Sequence, residues 1–110
     1  MKYFDWDDSK NRLLKKERNI SFEEVVLSIS GNGLLDVLEH PNQKKYPNQK
    51  IFIVNINEYA HIVPFVEDDY KYFLKTIYKS RESTKIYLKR KESLSFLHLA
   101  WEGLRRLSFL

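Results

Sequence analysis

Between Lys75 and Arg81 the chain reads Lys-Thr-Ile-Tyr-Lys-Ser-Arg, placing two ammonium groups, a phenol and a guanidinium within seven residues. That set suits phosphate. The planar fork of Arg81 can hold a phosphodiester in two hydrogen bonds, and Lys79 and Lys75 can add point charge. If its cationic neighbours depress one ammonium, that lysine can also act as a base. Tyr78, and Tyr87 further on, can donate a proton or stack on a base. Each has a plainer reading: a salt bridge at a helix start for Arg81, and rim packing for the tyrosines.

The charge distribution points to the same region. Residues 1–69 carry 9 Lys and Arg against 12 Asp and Glu, whereas residues 70–110 carry 10 against 3. The net charge of +4 therefore arises from the C-terminal part, where Lys71, Lys75, Lys79, Arg81, Lys85 and Lys89 follow one another. Clustered cations favour a polyanionic partner through counterion release, and otherwise form a solvated face. Lys16 and Arg18, near the end of a first helix, are further candidate nucleic-acid contacts, although cations suit a helix C-terminus in any protein.

Other chemistries find little support. His40, His61 and His98 are far apart with no ligand spacing, so neither a metal site nor a cofactor is expected, and His61 reads as a packed or solvated strand residue. Asp5, Asp7 and Asp8 cluster where a helix start favours acids. There is no frame for a serine nucleophile and no glycine-rich phosphate loop.

The elements that must position these residues read as follows. Lys2 to Trp6 is a short strand, and Asp7 caps a helix over 8–18 whose buried side is Leu13 and Leu14. Asn19 ends it in the left-handed conformation. Ser21 and Glu24 form a capping box, with Ile20 and Val25 spaced as a hydrophobic staple, and a second helix runs to Gly31-Asn32-Gly33. Strands follow at 34–39, 51–56 and 59–66, with Pro64 expected at an edge, a bulge or a strand end. Residues 70–79 read as one more strand with Lys71, Lys75 and Lys79 on a single face, and Ser80 caps a helix beginning at Arg81. The sum is an α+β domain: a mostly antiparallel sheet of about four strands, two N-terminal helices and C-terminal helices.

At 110 residues the chain fits one domain with a substantial core. It contains no Cys, no apolar leader and no apolar run of bilayer length, so the expectation is a soluble cytoplasmic protein without a membrane partner.

The landmarks Phe4-Asp5-Trp6-Asp7-Asp8-Ser9-Lys10-Asn11 and Asn19-Ile20-Ser21-Phe22-Glu23-Glu24-Val25, with Ile77-Tyr78-Lys79-Ser80-Arg81 leading into a helix, resemble the BrnT family of bacterial type II toxins. The resemblance covers residues 1–90 and implies a RelE-like toxin domain, with 91–110 as an amphipathic C-terminal extension. It implies a metal-independent endoribonuclease acting on mRNA, free or on the ribosome, in which Lys, Arg and Tyr do the work. It also implies a cognate DNA-binding antitoxin that forms a hetero-oligomer with the toxin and covers its basic surface. Arg81 stands where the family's Arg stands, while Glu17-Arg18-Asn19 replaces the family's Lys-His-Gly. The alternative is a non-catalytic protein- or nucleic-acid-binding module that retains the fold.

Overall fold

The computed structural model describes residues 2–89. The expected extension over 91–110 lies outside the described residues, as does the side chain of Lys89. Strand β1 (Tyr3–Asp5) leads into α1 (Asp8–Arg18) and α2 (Phe22–Ser30). Then come β2 (Leu34–Glu39), β3 (Gln49–Ile56), β4 (Tyr59–Glu67), β5 (Lys71–Leu74) and β6 (Tyr78–Lys79), followed by α3 (Arg81–Ser83) and a π-helical segment, Thr84–Lys89. The protein is α+β. Among the described residues its sheet has six strands rather than about four, in the order β1-β5-β4-β3-β2, with β6 also paired to β4. It is mixed, because β1 runs parallel to β5 while the other pairings are antiparallel.

The helix boundaries follow from local chemistry. The Asp7 carboxylate accepts from the amides of Ser9 and Lys10 at 2.8 and 3.3 Å, so α1 begins with two of its free donors satisfied. Asn19 closes it at φ 55°, and the Asn19 and Ile20 amides donate back to Lys15 and Leu14. After a two-residue link the Ser21 hydroxyl accepts from the Glu24 amide at 3.2 Å and starts α2. Ile20 and Val25 are both buried, as a hydrophobic staple requires. Leu13 does not share the buried side of α1: it is exposed, and Leu14 faces the core with Asn11.

Asn11 joins the two helices. Its carbonyl oxygen accepts from the Phe22 amide and its amide donates to a Glu23 carboxylate oxygen, each at 2.8 Å. A buried side chain of α1 thus satisfies the first turn of α2 and sets where α1 lies.

Both helices cover one face of the sheet. Leu14, Ile20, Phe22 and Val25 pack against Phe52, Val54, Val63, Phe65, Leu74 and Ile77, and Trp6 stacks on Phe22 with ring centroids 5.6 Å apart. Phe22 is fully buried, so its truncation to Ala is expected to cost about 3–5 kcal/mol. At the close of α2, Gly33 lies against Ser28. A Cβ there would fall 1.8 Å from the Ser28 hydroxyl, which itself donates to the Asn55 carbonyl at 2.7 Å. Only glycine fits that crossing onto β3.

Pro64 explains a departure from the expected pattern. It sits inside β4, which has neighbours on both sides, rather than at an edge or a strand end. Its carbonyl accepts from Lys75 at 2.8 Å, so its missing N–H would face the same lane, the one occupied by β5 and then β6. The expected strand over 70–79 breaks there into β5 and β6. Leu74 pairs with Phe65 of the core face, leaving Lys71 and Phe73 on the opposite face. Beyond the break Lys79 pairs with His61, itself opposite the core residue Val54, so Lys79 returns to the helix-covered face. Lys71 and Lys79 are therefore on opposite faces, not on one, because the break shifts the alternation by one residue.

Candidate nucleic-acid cleft

Where α1 ends, its last turn faces the β3–β4 hairpin and β6 across an open cleft of 810 Å³. Lys16, Glu17, Arg18 and Asn19 form one wall; Ile56, Asn57, Tyr59 and His61 form the second; Ile77, Tyr78 and Lys79 form the third. The three parts are far apart in sequence.

Each wall has a local cause. Asn19 stops α1 so that Lys16 and Arg18 fall in its last turn. The hairpin between Ile56 and Tyr59 turns through Asn57 at φ 56° and Glu58 at φ 62°, two consecutive left-handed residues as a type I′ turn demands. That tight reversal brings Tyr59 and His61 to the mouth. Ser80 holds the third wall: its amide donates to the Ala60 carbonyl at 3.0 Å and its hydroxyl caps α3 by accepting from Ser83 at 3.0 Å. Thr84, buried one turn later, accepts the Ala60 amide on its hydroxyl at 2.8 Å.

A long-range bond ties the first wall to the third. The Arg18 guanidinium donates to the Ile77 carbonyl at 2.6 Å. Lys79 holds its ammonium 5.7 Å from the centre of the Tyr59 ring, and that ring meets His61 edge-on at 6.0 Å. Such a cation–aromatic contact orients the lysine while leaving its charge available to solvent.

His61 is buried, with 3% of its surface exposed, yet it lines the cleft. Its Nδ1 lies 2.9 Å from the Tyr59 carbonyl. Since that oxygen can only accept, the neutral ring carries its proton on Nδ1 and its lone pair on Nε2. Burial pushes the imidazole below its ordinary value near 6.5, and Lys79 pushes it the same way, against weaker upward pulls from the Tyr59 carbonyl and Glu24. At neutral pH the cleft therefore holds an uncharged imidazole beside three cations.

Of the residues singled out in the sequence, the cleft gathers Lys79, Tyr78, Lys16 and Arg18. Arg81 and Lys85 are exposed at the helix that follows and lie outside the cleft lining. Lys75 is exposed, with its ammonium over the Phe73 ring at 5.6 Å, and Lys71 bridges to Asp5 at 3.3 Å; neither lines the cleft. Tyr87 donates to the Asp36 carboxylate at 2.5 Å, which pushes its phenol up to about 12 and ties the π-helical segment to β2. It too is outside the cleft.

Two cleft residues, Tyr59 and His61, carried no functional signal in the sequence. Their alternation in a strand next to a polar Asn-Glu turn is the one local hint that they share a face near a sheet end. Among the described residues no group of three or more His, Asp or Glu side chains is placed to hold a metal ion, and no helix is long and apolar enough to cross a membrane. No protein-family model, curated protein or solved structure matches the chain.

Proposed function

We propose that this chain is a metal-independent endoribonuclease of RelE-like type, the toxin half of a toxin–antitoxin pair, and that it cleaves RNA in the cleft between α1, the β3–β4 hairpin and β6. The observation that carries this reading is the meeting of Lys16, Arg18 and Lys79, from opposite ends of the chain, beside Tyr59 and His61 in one open cleft. Three cations offer a phosphodiester the charge stabilisation its crowded transition state needs, and they do so without a bound ion. Tyr59 offers a face on which an unstacked base can rest. Arg81 and Lys85, just beyond β6, extend the basic track along the strand's exit. The landmarks of residues 1–90, with two helices on one face of the sheet, support the RelE-like assignment. A cognate antitoxin would neutralise the protein by covering this charge.

The test is cleavage of a single-stranded RNA by the purified chain in excess EDTA. The expected product carries a 2′,3′-cyclic phosphate, because the attacking group is the substrate's own hydroxyl. Lys16→Ala and Lys79→Ala should each weaken RNA binding and lower the slope of log affinity against log salt by about 0.7, the single-strand value for one phosphate contact. Abolition of cleavage by EDTA would refute the mechanism. The binding-module reading draws on Arg18, whose guanidinium is already engaged by the Ile77 carbonyl; it predicts the same salt behaviour with intact RNA.

A further inference from the structure

We infer that His61 is the general base of the cleft, its Nε2 taking the proton of the RNA 2′-hydroxyl that attacks the adjacent phosphorus. This deepens the nuclease reading and rests on it. The inference stands on placement. His61 lines the cleft from β4, directly across the pairing register from Lys79. Its Nδ1 is engaged by the Tyr59 carbonyl at 2.9 Å, so the ring's orientation and tautomer are set from within its own strand. The Tyr59 ring at 6.0 Å packs against its edge. Among the described residues nothing pairs with Nε2. A buried imidazole with one nitrogen clamped and the other bordering a cationic cleft is built to accept one proton at a defined atom.

The groups around it keep it in the competent state. Lys79 faces it from β6 across the register, Lys16, Glu17 and Arg18 line the same cleft from the end of α1, Tyr59 packs on it from its own strand, and Glu24 acts on it from α2. Burial is the largest influence and disfavours a charged imidazole, as Lys79 does; the Tyr59 carbonyl and Glu24 favour one, and the balance keeps the ring below its ordinary value. The cationic rim has a second consequence. It stabilises the negative charge that develops on phosphorus as His61 becomes positive, so base and charge stabiliser are separate groups.

The step balances without a co-reactant. The 2′-hydroxyl proton moves to Nε2 as the 2′-oxygen bonds to phosphorus, the bond from phosphorus to the 5′-oxygen breaks, and that oxygen takes a proton from the Lys79 ammonium. The products are a 2′,3′-cyclic phosphate and a 5′-hydroxyl. His61 then returns its proton to solvent and Lys79 recovers one.

The experiment pairs kinetics with a spectroscopic measurement on the unaltered protein. For the wild-type chain in EDTA, log kcat/KM should rise with unit slope and level off at an apparent pKa below 6.5. His61→Gln should lose about a hundredfold or more in cleavage rate, within the range of general-base removal. It should also lose the acid limb and keep its RNA dissociation constant. Nitrogen NMR of histidine-labelled wild-type protein should show His61 protonated at Nδ1 and bare at Nε2, a readout that does not depend on the variant folding. A His61→Gln protein that cleaves within threefold of wild type or keeps the acid limb, or a wild-type imidazole protonated at Nε2, would overturn the inference and leave the nuclease reading standing. A wild-type chain that cleaves no RNA would overturn both.

Discussion

Replacing Asn11 by Ala probes how the cleft's first wall is held in place. Asn11 is 4% exposed, and its side chain makes two 2.8 Å hydrogen bonds, to the Phe22 amide and to Glu23. In the Ala variant the Phe22 amide loses its acceptor inside the protein, a penalty of about 1–3 kcal/mol for a buried donor left unmade. Glu23 is exposed and can regain water, so its share is small. Adding the void left by the amide, the expected loss is about 2–3 kcal/mol, against a total stability on the order of 5–15 kcal/mol. At about 4 °C or more per kcal/mol this lowers the Tm by roughly 10 °C. Urea unfolding should show a lower midpoint with an unchanged slope, because the surface exposed on unfolding is the same.

Asn11→Asp separates the acceptor from the donor. It keeps an oxygen for the Phe22 amide but sets a second carboxylate against Glu23, whose own carboxyl is held low chiefly by the Asn11 amide. Two carboxylates at that distance cannot both ionise freely. The Asp variant should therefore be destabilised at pH 7 and recover relative to wild type as the pH falls through the carboxylate range. An Ala variant within about 0.5 kcal/mol of wild type would refute the reasoning, since ordinary surface substitutions already reach that value.

Two further outcomes follow from the same kind of accounting. Glu58→Gly should stabilise the protein by about 0.5–1 kcal/mol, because Glu58 holds φ at 62° where a Cβ is strained, partly offset by glycine's greater freedom when unfolded; an unchanged or lower urea midpoint would count against strain at this turn. The stability–pH curve should show two acid steps. The unfolded chain protonates His61 near 6.5 while the folded chain resists, so stability is full above that value and falls as the pH drops below it. The lowered carboxylates of Glu23, Glu67 and Asp68 contribute stability that is lost only below about 4.5, through their folded-state range. His61→Gln should erase the first step and keep the second, and a first step that survived the substitution would assign it elsewhere.

What could be read from the sequence was what neighbouring residues decide among themselves. Asp7, Asn19, Ser21 and Ser80 act on backbone groups one to four residues away, and each terminates or starts its helix as its side-chain chemistry requires. The tight turn near Asn57 is equally local. The face of Lys71, Lys75 and Lys79 was not legible, because the residue that breaks their strand is Pro64, on another strand. The parallel pairing of β1 with β5 joins residues such as Tyr3 and Lys71, which carry no mark of each other. Lys16 and Arg18 were recognisable as cations at a helix end, but their meeting with Lys79 required the fold. His61 looked like any strand histidine; its significance lies in the Tyr59 carbonyl, the burial and the lysine across the register.

The placement of the cleft follows from how β6 meets the sheet. Ser80 donates to Ala60, so in this antiparallel pair Ser80 and Tyr78 direct their backbone groups toward β4, while Lys79 and Ile77 direct theirs outward to an edge that no strand among the described residues pairs. An open edge carries unpaired donors and acceptors that must find partners. The Ile77 carbonyl finds the Arg18 guanidinium, and this draws the end of α1 across the edge instead of leaving it in solvent. The cleft is thus the space between a sheet edge and the helix that partly covers it. Arg18 has an architectural reason to be there, since the Ile77 acceptor at that edge attracts it. The break opposite Pro64 keeps β6 short and shifts its alternation, turning Lys79 toward the helix-covered side. Had the strand run unbroken from Lys71, Lys79 would share the face of Lys71 and point away from Arg18 and His61. A backbone donor missing from one strand therefore decides which lysine of the next enters the cleft.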